Sequence, residues 1–76
     1  MMTTMKRRGS MTENDVTKLI VSAIPKGIQL MPGDFRKTET GIEVDAETAR
    51  ERTFLHQYGF ESDEMIFERR LRGESY

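Results

Sequence analysis

The chain has 76 residues, with twelve Lys and Arg against thirteen Asp and Glu for a net charge of -1, and it has no cysteine. A chain this short forms one domain at most and buries only about 60% of its unfolded surface, so a partner or a second copy is the natural supplement to its stability. The charge balance argues against a sequence-independent DNA binder, the missing thiols remove disulfides and thiolate zinc sites, and the longest apolar run, residues 19–21, falls far short of the roughly 20 residues that span a bilayer.

Residues 1–10 carry Lys6, Arg7 and Arg8 but no branched aliphatic or aromatic side chain, and a disordered arm is expected there. Residues 11–15 read as a natural start, which makes the arm an upstream extension ahead of a single small globular domain, residues 11–76. The first helix is the clearest periodic signal. Thr12 is placed to cap it, Asp15 stands where a capping-box acid belongs, and Val16, Leu19, Ile20, Ala23 and Ile24 form one apolar stripe before Pro25 ends it. Its polar face has a single lysine, which favours packing on a core over lying on a membrane.

Residues 26–44 change character. Pro32 and Gly33 occupy the middle of a type II turn between two short runs, residues 28–31 and 35–38. Gly41 marks another turn, and Ile42 and Val44 alternate around Glu43 as a half-buried strand would. This predicts a small hairpin or meander, with an irregular ordered loop as the alternative.

Residues 45–72 hold Phe54, Phe60, Phe67 and Tyr58 and are expected to supply the core as two helices joined by a tight turn. Asp45 is placed to cap the first, over residues 46–58. Gly59 then takes the left-handed conformation that closes a helix, with Phe60 folding back as the apolar contact. Ser62 caps the second, whose first turn is acidic (Asp63, Glu64) and whose last is basic (Arg69, Arg70, Arg72) before Gly73. Phe67 and Leu71 share a face and are expected to pack with Phe60. A strand there would put Arg69 on that same face, so the helix is preferred. The fold expected is thus α+β and mostly helical: an N-terminal helix, a short β-hairpin or meander, then a C-terminal helix-turn-helix pair. That pair has the outline of a DNA reader, but its second helix opens with Glu61, Ser62, Asp63 and Glu64, acids where phosphate and base contacts are made.

Catalytic patterns are missing. His56 is the single histidine, and the positions three and four residues away are Arg52, Thr53, Gly59 and Phe60, none a companion ligand for a metal. The serines have no nucleophile-elbow context, and the glycines fall at turns and caps rather than in a phosphate-cradling cluster. No enzyme activity, cofactor, metal or small-molecule substrate is expected.

Two surfaces remain. One is apolar: Phe54, Leu55, Tyr58, Phe60, Met65 and Ile66 do not fit on one buried stripe, so part of the set is expected to be exposed and to contact another chain. The other is basic: Arg69, Arg70 and Arg72, with Lys6, Arg7 and Arg8 from the arm, suited to nucleic acid or to an acidic protein face. The leading expectation is a non-enzymatic, cytoplasmic interaction protein, an adaptor, regulator or inhibitor of the kind many phages encode. It would bind another protein or pair with itself as a homodimer through the C-terminal helices. The alternative is a nucleic-acid-associated accessory protein using the arginines.

Overall fold

The strand at Thr3–Arg8 (β1) holds the sheet together. The computed structural model describes residues 2–73. Met1 of the expected arm and residues 74–76 of the expected domain lie outside them. β1 alternates in the manner of a half-buried strand. Thr3, Met5 and Arg7 share one face with Ala46, Val44 and Ile42, while Thr4, Lys6 and Arg8 stand opposite Asp45, Glu43 and Gly41 on the other. Along its whole length β1 pairs antiparallel with Gly41–Ala46 (β3), and on its other side Met5 and Lys6 pair with Ser62 and Glu61. The expectation of a disordered arm is therefore corrected. One fully buried side chain, Met5, and a ladder on both sides order a stretch whose composition is polar.

Helix α1, Glu13–Ala23, forms as its cap signals require. Asp15 N donates to Thr12 Oγ1 at 3.1 Å, and Thr12 N donates back to Asp15 Oδ2 at 3.3 Å. The capping bonds hold the Asp15 carboxyl below its ordinary value. Leu19 and Ala23 enter the core. A 3-10 turn at Ile24–Lys26 ends the helix, and left-handed Gly27 lets the Ile28 amide donate back to the Ala23 carbonyl, which sends Ile28 inward.

The hairpin lies one segment later than expected. Proline 32 lacks an N–H and Asp34 captures the Met31 amide at 3.0 Å, so Pro32–Asp34 closes a local 3-10 turn and residues 28–31 pair with no strand. Phe35–Lys37 (β2) pairs with β3 instead, across a turn where Thr38 N donates to Gly41 O at 2.8 Å. The alternation of Ile42 and Val44 is as expected and continues to Ala46.

That continuation corrects the start of the next helix. Asp45 belongs to β3, and helix α2 is Ala49–His56, capped by Thr48 through a bond from Glu51 N of 3.2 Å. Its end follows the sequence reading. Gly59 has φ 91°, the Phe60 amide donates to the Leu55 carbonyl at 3.1 Å, and the Phe60 ring is buried. Glu61–Ser62 (β4) then intervenes before helix α3, Asp63–Leu71, so α2 and α3 are not a helix-turn-helix pair. Ser62 caps α3 as read, but Phe67 and Leu71 point to solvent, against expectation, and no residue of α3 is buried.

Among the described residues the fold is thus α+β, three α-helices with a four-stranded antiparallel sheet of order β2-β3-β1-β4. "Mostly helical" is too strong, because the sheet forms a whole layer of the core. The order β-α-β-β-α-β is the split β-α-β connectivity of ferredoxin-like sheets, with α3 appended. The core joins Met5, Ile42 and Val44 of the sheet to Leu19, Ala23, Phe54, Leu55 and Phe60. No described helix is long and apolar enough to cross a membrane.

Candidate protein-interaction surfaces

The outward sheet face is an ion-pair lattice. Arg36 on β2 forks its Nη1 and Nη2 to the Asp45 carboxylate at 3.2 and 3.1 Å and sends Nε to Glu43 at 3.0 Å, while Thr4 donates to Asp45 at 2.8 Å. The guanidinium first, and the threonine hydroxyl second, hold the Asp45 carboxyl below its ordinary value, and the two carboxylates hold Arg36 firmly charged. Lys6 pairs with Asp63 at 3.0 Å and Arg69 with Glu61, which ties α3 to the β1–β4 side of the sheet. Exposed pairs of this kind fix geometry more than they add stability.

Two of the expected basic clusters meet here. Lys6, Arg7 and Arg8 on β1 line a cleft of about 310 Å³ with Glu43 of β3, Arg70 and Ile66 of α3, and Thr38 and Thr40 of the hairpin turn. Arg69 is committed to Glu61, Arg72 lies outside the cleft, and Arg7 also lines a second pocket beside α1, so the six cations do not form one patch. Arg7 Nη1 is buried without a hydrogen-bond partner, and its stem runs under Gly59.

The expected aromatic interface does not assemble. Phe54, Leu55 and Phe60 are core residues and cannot reach a partner, because the apolar underside of the sheet takes both sides of α2's end. Tyr58 is exposed beside Phe54, ring centroids 5.1 Å apart, and Met65 and Ile66 are partly buried. His56 is exposed and its Nδ1–H donates to the Phe60 carbonyl at 3.2 Å, which commits one ring nitrogen to holding the turn. No group of three or more His, Cys, Asp or Glu able to hold a metal occurs among the described residues.

The larger apolar surface lies elsewhere. Met2, Ile20, Ile24, Ile28, Leu30 and Met31 line a groove of about 980 Å³ between the end of α1 and the loop leading to β2. Ile24 is 65% exposed and Met31 64%. Asp34, Asp45, Glu47 and Glu51 stand round it against one cation, Arg36. In the sequence the α1 stripe runs on to Ile24 and Met31 follows Leu30; that burial stops at Ala23 and Leu30 is decided by the fold. A second exposed apolar pair is Phe67 and Leu71, one turn apart on α3.

No protein-family model matches the chain, and no curated protein or solved structure matches it either.

Proposed function

We propose that the protein is a non-enzymatic, cytoplasmic interaction module whose groove between α1 and β2 accepts an apolar, basic segment of another polypeptide. The observation that carries this reading is the groove itself: half a dozen aliphatic and methionine side chains, three of them mostly exposed, inside a rim of four acids and one arginine. A patch of that composition favours an apolar anchor flanked by cations. A catalytic reading has less support, because the nearby acids already have tasks. Asp34 holds the Met31 amide, Glu51 the Glu47 amide, and Asp45 the Arg36 guanidinium.

The test is titration of the isotopically labelled protein with an amphipathic helical peptide of leucine and lysine. Backbone resonances of residues 20–34 and 45–51 should shift, Ile24→Asp should abolish the shifts, and a leucine–glutamate peptide should leave them unmoved. Shifts unchanged in the Ile24→Asp variant, or none at millimolar peptide, would refute the groove.

The meeting of Lys6, Arg8 and Arg70 in one cleft favours a second reading, a nucleic-acid accessory role. The outward positions of the two central strands are Thr4, Lys6, Arg8, Gly41, Glu43 and Asp45, without an aromatic ring on which a base could stack. Contact would then be made to phosphates alone. Three such contacts, with Lys6 released from Asp63, give a slope of about -2.7 for log affinity against log salt on duplex DNA, and no retardation of DNA or RNA at low salt dismisses the reading.

A further inference from the structure

We propose that the groove is occupied by α3 of a second copy of this chain, so that molecules join head to tail; this rests on the groove reading above and names its occupant. The donor is a helix with no buried residue, on which Phe67 and Leu71 are 61% and 71% exposed. What holds α3 to its own sheet is the Ser62 cap, Lys6 with Asp63, Arg69 with Glu61, and the half-buried Met65 and Ile66. The Phe67 and Leu71 face is left exposed to solvent in its own chain. Separated by four residues, the two side chains stand one turn apart, the spacing with which a helix anchors itself in an apolar groove.

Charge points the same way. The acids of α3, Asp63 and Glu64, sit in its first turn, and the half that carries Phe67 and Leu71 has Arg70 and Arg72 against Glu68, with Arg69 held by Glu61 of its own chain. The groove has the opposite balance, with Asp34, Asp45, Glu47 and Glu51 against Arg36. Of these acids Glu47 and Asp34 are exposed at the rim; Asp34 gives one oxygen to the Met31 amide and keeps the other to meet arginines arriving with the helix.

Topology makes the contact intermolecular. In the sheet order β2-β3-β1-β4, Arg36 of the groove lies on one edge strand and α3 follows directly from the other. No residue of α3 lines the groove. The helix cannot fold back onto its own acceptor without leaving the Ser62 cap and the Lys6 and Glu61 ion pairs. Because donor and acceptor are different patches, each bound copy still offers a free groove and a free helix, and the assembly grows as a ring or an open chain rather than stopping at a symmetric dimer. Nine helical residues span about 13 Å, and one face of such a helix covers less than the roughly 800 Å² per partner of a stable complex. Association should therefore be weak, visible at about 0.1–1 mM protein and reversible on dilution.

Sedimentation velocity on the full chain, with two complementary variants, tests this. Phe67→Asp leaves the groove intact and removes the donor anchor; Ile24→Asp leaves α3 intact and blocks the acceptor. The wild-type mass should rise past that of a dimer with concentration, each variant alone should stay monomeric, and their equimolar mixture should form a dimer and nothing larger. Leu71→Asp with Met31→Asp is a second pair, and unchanged far-UV circular dichroism shows each variant folded. Wild type monomeric at 1 mM, a mixture that stays monomeric, or an Ile24→Asp protein that still associates would each overturn the proposal, the last by showing α3 paired with α3. A monomeric wild type whose groove still takes the leucine–lysine peptide removes the self-docking proposal alone. A groove silent to that peptide, together with a monomeric wild type, removes both.

Discussion

Replacing Met5 by alanine tests whether the N-terminal segment is part of the fold. Met5 is fully buried at the middle of β1, between Val44 and Ser62 on the neighbouring strands. Truncating such a side chain costs the lost transfer free energy plus the cavity left behind, about 2–5 kcal/mol for methionine. At 76 residues the whole domain is stable by only about 4–11 kcal/mol. A loss of about 3 kcal/mol would lower the melting temperature by roughly 12–24 °C, since each kcal/mol shifts a domain of this size by about 4–8 °C. Urea titration and a thermal scan, both followed by far-UV circular dichroism, read the two quantities. A free arm would give a change within about 0.5 kcal/mol, and that result would refute the placement of β1.

Three further outcomes follow from particular contacts. Gly41→Ala should destabilise by at least about 2 kcal/mol, because the added Cβ would run into the backbone carbonyl of Arg7 and lie 2.9 Å from the Gly9 nitrogen; a melting curve like that of the wild type would contradict the β1–β3 approach. Phe54→Ala should cost about 3–5 kcal/mol and Phe67→Ala less than about 0.5, measured by urea midpoints on dilute protein; similar losses at both sites would mean that α3 is packed inward. Asp45 titrates below its ordinary value in the folded state because of Arg36 and then Thr4, so its contribution is present above the unfolded value of about 3.9 and is lost as pH falls through the folded one. Urea midpoints taken from about pH 6 down to 2 should fall less steeply in Asp45→Asn than in the wild type, and parallel profiles would dismiss the Arg36–Asp45 pair as a source of acid sensitivity.

What could be read from the sequence was local. Thr12 with Asp15, Ser62 ahead of Asp63, and Gly59 before Phe60 each satisfy helix-end amides or carbonyls with groups a few residues away, and each appears in the structure as read. Tertiary pairing was hidden. β1 has one large apolar side chain because its outward face meets charged neighbours and its inward face needs no more than Met5 beneath the helices. Asp45 and Thr48 are both sound N-caps, and the choice between them was made by β3, whose inward alternation claims Ala46. Periodicity showed that Phe67 and Leu71 share a face of α3 but could not say whether anything lay opposite. For the same reason it could not say which of Phe54, Leu55, Tyr58, Phe60, Met65 and Ile66 would be exposed, nor that Ile24 and Met31 would line a groove.

The pairing of β1 also shapes how the chain gets to this structure. Its neighbours lie far along the polypeptide, Val44 for one rung and Ser62 for another, so two long loops must close before the earliest strand has company. Such non-local wiring slows folding relative to a bundle of helices. During that delay the segment shows water two threonines, a lysine and two arginines around a lone methionine, a makeup that does not readily cling to other unfinished chains. The same polarity that disguises β1 as a loose tail keeps it safe while it waits to become the middle of the sheet.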